Sequence, residues 1–145
     1  MKTRIREWDT RRWRTDMEEK DTLKWYRDGK KGIQYDQCYT NNLNSKIFAR
    51  ARTNTLQVEE FKHRRNRDHN TICKLCGIEE EDLQHFIIRC PRLENKRNRG
   101  IMNKWRNVDK HRQMVDILFN EKNYEKISQM LRAMWLHRKN LLRPP

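Results

Sequence analysis

The chain has 145 residues, of which 37% are charged and only 34% are hydrophobic. Such a low apolar content leaves little surface to bury against the entropy of folding, so we expect one modest domain that a bound metal helps to stabilise. Lysine and arginine outnumber acidic residues by 34 to 20, which gives a formal net charge of +14 and is typical of proteins that bind nucleic acid.

The sequence shows no pattern of a membrane span or of a signal peptide. No apolar run approaches the roughly 18 residues that a membrane helix requires, and the first residues, MKTRIREWDTRRWR, lack the apolar core of a signal peptide. We therefore predict an intracellular protein, in the nucleus or the cytoplasm, that does not contact a membrane. In that reducing environment, thiolates bind metal more readily than they form disulfides.

The first half of the chain has the pattern of short helices. Residues 1–34 form a charged, tryptophan-rich lead-in whose composition predicts amphipathic helices ended by glycine turns. Residues 35–70 form a basic segment in which Leu43, Ile47 and Ala51 recur at four-residue steps, the spacing of one helix face. The last part of this segment, KHRRNRDHN, is wholly polar and is predicted to be a loop or a frayed helix end.

The second half carries a cysteine motif and a basic tail. Residues 71–99 contain the motif, and residues 100–145 form a tail with apolar residues at three- and four-residue steps, which predicts helix. A polar stretch at residues 120–123 divides the tail into two helices. Together the four segments predict a mainly α-helical, small single domain in which short helices surround a metal-binding turn.

Three cysteines and one histidine, Cys73, Cys76, His85 and Cys90, follow the spacing C-x2-C-x8-H-x4-C. Zn²⁺ prefers four thiolate or imidazole ligands in a tetrahedron, and two cysteines separated by two residues can hold the ion from one turn. Four protein ligands leave no open position for water. The pattern therefore predicts one structural Zn²⁺ and no catalysis at the metal.

Two other interpretations of this region remain open. The cysteines could be ordinary buried thiols, and His63 or His69 could replace His85 as a ligand. We prefer His85 because the apolar residues that follow it, 86–88, would shield the ion, whereas the other two histidines lie in a polar run. The acidic run 79–82 predicts a solvated turn between ligands rather than a second metal site or a general base.

The stretches FARARTNTLQVEE and TICKLCGIEEEDLQHFIIRCPRLENKR resemble the C-terminal region of non-long-terminal-repeat retrotransposon polyproteins. The resemblance covers about residues 47–99. It rests on the cysteine pair, the acidic turn, the pair His85-Phe86, the pair Cys90-Pro91 and then a basic residue at Arg97. In that family this region follows the reverse transcriptase and helps to hold RNA or target DNA, so the resemblance implies a zinc knuckle that binds nucleic acid.

No enzyme activity is predicted for this chain. Its sequence contains no adjacent Asp-Asp pair of the kind that binds metal in a reverse transcriptase, and no set of histidines and carboxylates that resembles the family's endonuclease. A glycine-rich phosphate loop and a serine nucleophile elbow are also missing. We therefore predict a non-catalytic module.

Basic residues flank the cysteine motif on both sides. Residues 89–112 contain nine basic and two acidic residues, a net charge of +7, and a second cluster precedes the motif. Such a surface binds phosphates with little reading of sequence. The residues predicted to contact nucleic acid are Arg50, Arg52, Arg64, Arg65, Arg67, Lys74, Arg89, Arg92, Lys96, Arg97, Arg99, Lys104 and Arg106.

We expect RNA or single-stranded DNA to be preferred to duplex DNA, because Phe86 and Trp105 could stack on unpaired bases unless they pack in the core. The alternative prediction is a zinc-stabilised module that binds protein. In that case the C-terminal helices would dock onto a polymerase or a host factor. Exposure of Leu118, Phe119, Leu131 and Trp135, together with weak RNA binding that is insensitive to salt, would favour this alternative.

Overall fold

The structure is a computed structural model that describes residues 2–145, and it is mainly α-helical, as predicted. The α-helices are α1 (Lys2–Glu18), α2 (Lys24–Gly29), α3 (Leu43–Arg52), α4 (Glu59–Arg65), α5 (Arg99–Met102), α6 (Lys110–Phe119) and α7 (Tyr124–Leu141). Between α4 and α5 lie a π-helical turn, His85–Arg89, and a 3-10 helix, Pro91–Lys96. No helix in the described part of the chain is long and apolar enough to cross a membrane.

Helices α3 and α7 pack against each other at the centre of the fold. Helix α3 begins after Asn42, whose side chain accepts a hydrogen bond from the N–H of Ser45 and satisfies a donor of the first turn. Ile47 and Ala51 are buried, as their spacing predicts. Leu43 is the exception, because it lies at the start of the helix and is 46% exposed.

The two helices predicted in the last third of the chain are α6 and α7, separated by a short 3-10 helix at Glu121–Asn123. The buried face of α7 includes Ile127, Leu131 and Met134, which recur at three- and four-residue steps. Helix α6 packs against α2 at Gly29, where an added Cβ would lie 2.2 Å from the ring of Phe119. A glycine is required at this crossing because any side chain would overlap the aromatic ring.

The apolar side chains of the tail do not form the exposed docking surface that the alternative prediction requires. Leu118 and Leu131 are fully buried, and Phe119 and Trp135 are partly buried against the same core. The ring of Trp135 packs edge-on against Phe86. The exposure of these four side chains that would favour the alternative is not observed, because they pack in the chain's own hydrophobic core.

Helix α4 includes the start of the polar run that the sequence predicts to be a loop or a frayed helix end. The helix continues from Glu59 to Arg65, so the first four residues of the run, from Lys62 onwards, are the end of a helix. Acidic residues, Glu59 and Glu60, lie in its first turn and basic residues in its last, which is the favourable order for the helix dipole. The chain becomes extended at Asn66.

Candidate metal centre

The first two candidate ligands, Cys73 and Cys76, lie in one tight turn. The N–H of Gly77 donates to the carbonyl oxygen of Cys73 at 2.8 Å, and the N–H of Cys73 donates to that of Glu79 at 2.9 Å. Gly77 has φ of +66°, in the left-handed region that residues with a side chain rarely adopt. The glycine therefore allows the chain to reverse direction directly after the second sulfur.

The other two candidate ligands are joined by the π-helical turn. The N–H of Cys90 donates to the carbonyl oxygen of His85, five residues earlier, at 2.8 Å. A hydrogen bond of this span is the defining feature of a π-helix, and it brings the histidine and the cysteine next to each other. The side chain of Asp82 accepts a hydrogen bond from the N–H of His85 and fixes the start of the turn.

The four side chains converge on one point. Their nearest ligand atoms all lie within 4.8 Å of one another, with 3.9 Å between Sγ of Cys73 and Sγ of Cys90 and 3.5 Å between Sγ of Cys76 and Nε2 of His85. Sulfur ligands at about 2.3 Å from a tetrahedral zinc are separated by about 3.8 Å. These residues could therefore hold a metal ion.

The structure favours His85 over the two nearby histidines as the fourth ligand. Nδ1 of His63 contacts the carbonyl oxygen of His69 at 2.8 Å, and Nε2 of His69 contacts the carboxylate of Glu59. Neither of these histidines belongs to the cluster of potential ligands. Cys38 is also buried outside the cluster.

The second ring nitrogen of His85 faces a carboxylate. Nδ1 of His85 is buried and lies 3.0 Å from Oε1 of Glu79, a hydrogen-bond distance, although the alignment of the two groups is poor. The other oxygen of Glu79 accepts from Arg89 at 3.2 Å. A carboxylate behind a ligating histidine is a common arrangement at metal sites, because it orients the ring and makes Nε2 a better ligand.

Burial keeps two of the thiols protonated at neutral pH. It raises the pKa of Cys73 to about 12 and also raises the pKa of Cys90. Burial acts in the same direction on Cys76, but hydrogen bonds from the backbone N–H groups of Ile78 and Glu79 and from the side chains of Cys73 and Cys90 together lower the pKa of that thiol. A bound cation stabilises thiolates, so metal binding at this cluster releases protons.

The acidic run between the ligands is only partly solvated. Glu81 is fully buried, and its carboxylate accepts hydrogen bonds from Nε and Nη2 of Arg138, in α7, at 2.7 and 2.6 Å. It also accepts from the N–H of Glu59 at 3.0 Å. The prediction of a solvated turn is wrong at Glu81, which instead links the candidate metal centre to helices α4 and α7.

Glu59 completes this buried group of charges. Its carboxylate accepts from Nη2 of Arg138 at 2.7 Å and from Nζ of Lys62 at 2.9 Å, and it contacts His69 and Lys74. Burial acts to raise the pKa of Glu59, but hydrogen bonds from Lys62, His69 and Arg138 hold it at about 2. The carboxylate of Glu59 is therefore ionised at neutral pH, and the charges of Lys62 and Arg138 balance it.

The basic residues predicted to bind nucleic acid differ in exposure. Those that are exposed are Arg50, Arg65, Arg67, Lys74, Arg92, Lys96, Arg99, Lys104 and Arg106. Arg64 and Arg89 are partly buried and pair with neighbouring carboxylates. Arg52 and Arg97 are buried. Most of the predicted residues can therefore reach a ligand from solvent, and two cannot.

Arg52 is a structural residue, so its prediction as a nucleic-acid contact is wrong. Its Nε donates to the carbonyl oxygen of Leu118 at 2.7 Å, and its guanidinium lies over the ring of Phe119. A further contact of 3.4 Å joins it to the carboxylate of Asp36. These contacts satisfy the buried charge and hold α3 against α6.

Arg97 is likewise committed within the protein, and its prediction as a phosphate contact is wrong. Its guanidinium donates to the carbonyl oxygens of Ile87 at 2.7 Å and Cys90 at 2.8 Å. It also donates to the carboxylate of Glu94 at 2.8 Å. Arg97 thus supports the turn that carries two candidate ligands, because its guanidinium donates to a carbonyl group within that turn and to another at its end.

The two aromatic residues considered for base stacking belong to the core. Phe86 is 0% exposed and Trp105 is 4% exposed. Neither ring can stack on a base in this conformation. Any selectivity for unpaired bases must therefore come from other side chains.

Sequence analysis missed the group formed by Glu59, Glu81 and Arg138. Glu81 lies 22 residues from Glu59 and 57 residues from Arg138. No local spacing could indicate this contact, and each residue alone looks like a surface charge. The one available signal is that position 138 continues the apolar face of α7, seven residues after Leu131.

Comparisons with known proteins leave the geometry as the basis for assigning a function. No protein-family model matches the chain, and no curated protein or solved structure matches it significantly. Two structural features remain as the basis for a function. They are a mainly α-helical fold and a cluster of three cysteines and one histidine that could hold a metal ion.

Proposed function

We propose that the chain is a non-catalytic, zinc-dependent module that binds nucleic acid, with RNA or single-stranded DNA preferred to duplex DNA. The observation that carries this proposal is the convergence of Cys73, Cys76, His85 and Cys90 within 4.8 Å, in a chain with a net charge of +14. A metal-bound turn of this kind gives a small basic domain the rigidity that a phosphate-binding surface needs.

The chemistry of the ligands supports zinc as the metal. Three thiolates and one imidazole in a tetrahedron suit Zn²⁺, whereas hard cations such as Mg²⁺ and Ca²⁺ prefer oxygen ligands. Four protein ligands would complete the coordination of the ion and leave no site for a water or a substrate. For that reason we propose a structural ion, one per chain.

The exposed basic residues support nucleic acid as the partner. Nine of the predicted contact residues are exposed, and basic residues of this density neutralise phosphates and release counterions. The resemblance of residues 47–99 to the tail of retrotransposon reverse transcriptases points to the same class of partner. The proposal includes an intracellular setting, nucleus or cytoplasm, because reducing conditions keep the thiols available for metal.

The test combines zinc content with a salt titration of binding to single-stranded RNA and duplex DNA. The intact chain is compared with a Cys73→Ser, Cys76→Ser variant, and Cys38→Ser serves as the control because Cys38 lies outside the cluster. We expect one zinc in the intact chain and the control, none in the double variant, and binding that weakens steeply with salt only where zinc is present.

Each outcome of this test has a distinct meaning. Zinc without binding to nucleic acid would support the alternative, a zinc-stabilised module that binds a polymerase or host protein. Absence of zinc from the intact chain would contradict both functions, since each depends on the metal. Equal zinc content in the double variant would show that the four side chains are not the ligands.

A further inference from the structure

A groove of about 700 Å³ lies between the π-helical turn, helix α5 and the start of helix α6. Four basic side chains line it: Arg97, Arg99, Arg106 and Lys110. The last three are exposed, whereas Arg97 is buried. The sequence pattern alone did not separate this groove from the rest of the basic surface, and Lys110 was not among the predicted contact residues.

The positive charge of the groove is mostly not neutralised by the protein. Within the described residues, the one ion pair among the lining side chains joins Arg97 to Glu94, at 2.8 Å. Arg99, Arg106 and Lys110 thus add three charges that can pair with an anion from solvent. A polyanion with closely spaced phosphates satisfies three cations on one groove better than a single small anion does.

The lining of the groove also has an apolar part and two amide side chains. Ile88, Met102 and Val108 are partly buried along it, and Asn103 and Gln113 lie beside them. Apolar and thioether side chains can contact the face of an unpaired base, and amides can hydrogen-bond to its edge. In a duplex these faces are covered by stacking, so the apolar lining favours a single strand.

We propose that this groove is the site where the module holds single-stranded nucleic acid. Arg99, Arg106 and Lys110 contact consecutive phosphates, and a base lies against Met102 and Val108. The inference rests on the proposed function and deepens it, because it assigns a site and a reason for preferring unpaired strands. The proposed site does not include the buried rings of Phe86 and Trp105.

The groove is connected to the candidate metal centre through one side chain. Arg97 lines the groove and donates to the carbonyl oxygens of Ile87 and Cys90 in the ligand-bearing turn. Loss of the metal would release that turn and with it the position of Arg97. The groove therefore accounts for the dependence of binding on zinc that the proposed function predicts.

The test uses the full zinc-loaded chain and fluorescence anisotropy with a short labelled oligouridylate, an oligothymidylate and a duplex of the same length. The groove variant is Arg99→Gln, Arg106→Gln. Its matched control is Arg132→Gln, Lys139→Gln, which removes the same charge from exposed residues that lie outside the groove lining and outside the set of predicted contacts. A third variant, Met102→Gln, alters the apolar lining without changing charge.

We expect the groove variant to bind single strands about tenfold more weakly than the control does. Each phosphate contact contributes about 0.7 to the salt slope on single strands, so the loss of two lowers that slope by about 1.4. Met102→Gln is expected to weaken binding to single strands about threefold and to leave duplex binding unchanged.

Equal weakening by the groove variant and its control would overturn the groove as the site while leaving the proposed function intact. Equal effects of Met102→Gln on single strands and duplex would overturn the preference for unpaired bases. Failure of the intact zinc-loaded chain to bind any of the three probes would instead contradict the proposed function itself. Circular dichroism of each variant verifies that its fold is retained.

Discussion

Arg138 joins helix α7 to the candidate metal centre. Its side chain is 4% exposed and donates to both oxygens of Glu81 and to Glu59. The peptide N–H of Glu81 donates to the carbonyl oxygen of Thr71, two residues before the candidate ligand Cys73. A buried ion pair adds little net stability over apolar residues, but removal of one partner leaves uncompensated charge in the interior.

We predict that Arg138→Met destabilises the zinc-loaded protein by about 3–5 kcal/mol, because it leaves Glu59 and Glu81 buried without their shared cation. The matched control is Arg132→Met in the same helix, at an exposed position, with an expected effect of about 0.5 kcal/mol or less. Urea unfolding followed by circular dichroism measures both. Similar losses for the two variants would show that the buried charges are not coupled in solution.

The lowered pKa of Glu59 predicts how the stability of the fold depends on pH. Its pKa is about 2 in the folded chain, against 4.5 for an ordinary glutamate. A lowered folded-state pKa gives stability that is fully present above the unfolded value and is lost as the pH falls from about 4.5 towards 2. The intact chain should therefore be more stable than Glu59→Gln above this pH range, and the difference in stability should shrink as the pH falls through it.

Unfolding midpoints of the two proteins at pH values from 6 to 3 test the prediction, and their difference should narrow as the pH falls. Metal ligands also protonate in acid. The intact chain and Glu59→Gln are therefore compared only at pH values at which both have lost the same fraction of their zinc. Glu60→Gln is the control, since Glu60 pairs with the partly exposed Arg64. A constant difference between the intact chain and Glu59→Gln would contradict the prediction.

At the scale of elements, the candidate metal centre is built from two turns of unusual geometry. One reverses at Gly77 with φ of +66°, and the other is a π-helical turn between His85 and Cys90. Neither turn has a regular helical or extended backbone throughout. Each costs conformational free energy, and a metal shared by both turns would offset that cost.

We predict that Gly77→Ala lowers the affinity for zinc about tenfold. A Cβ at Gly77 would meet no atom within 4 Å, so the effect comes from the left-handed backbone, which costs about 1–2 kcal/mol in other residues. Gly32→Ala is the matched control, because Gly32 also has open space and lacks a positive φ. Competition with a chromogenic chelator measures the affinity for zinc. Equal affinities of the two variants would show that the left-handed backbone at Gly77 does not affect zinc binding.

At the scale of the whole molecule, the candidate metal centre and the helical core form one hydrophobic cluster. Cys73, Cys90 and Phe86 belong to the same set of buried residues as Ile47 and Leu131, from α3 and α7. A domain with 34% hydrophobic residues has few apolar side chains to bury. Its stability therefore depends on packing between the candidate metal centre and the helices. Loss of the metal should therefore weaken helices that do not themselves carry a ligand.

We predict that removal of zinc by a chelator lowers the melting temperature of the whole domain and reduces its helical circular dichroism. Binding energy at a structural site becomes folding energy, so stability should rise with free zinc concentration. Addition of excess zinc to the chelated sample is the control and should restore the signal. An unchanged spectrum and melting temperature after complete removal of zinc would contradict this coupling.

The sequence by itself determined the helical class, the faces of α3 and α7, and the ligand spacing around Cys73 and Cys90. These features are local, because helix faces repeat at three to four residues and ligand pairs lie within one turn. It also determined the net charge and hence the class of partner that we propose. The helix faces and the ligand spacing can be read within a window of about 20 residues, and the net charge is a sum over the sequence.

Only the tertiary structure decided which charged residues are buried. Arg52, Arg138, Glu59 and Glu81 are residues of types common on surfaces, yet contacts with distant segments remove them from solvent, and Arg97 is buried against the neighbouring turn. The same holds for Phe86 and Trp105, which pack inside rather than facing a base. Burial depends on which segments meet, and separations of 57 and 66 residues cannot be resolved from local pattern. The physical reason is that a charged side chain becomes structural only when folding supplies partners that replace water.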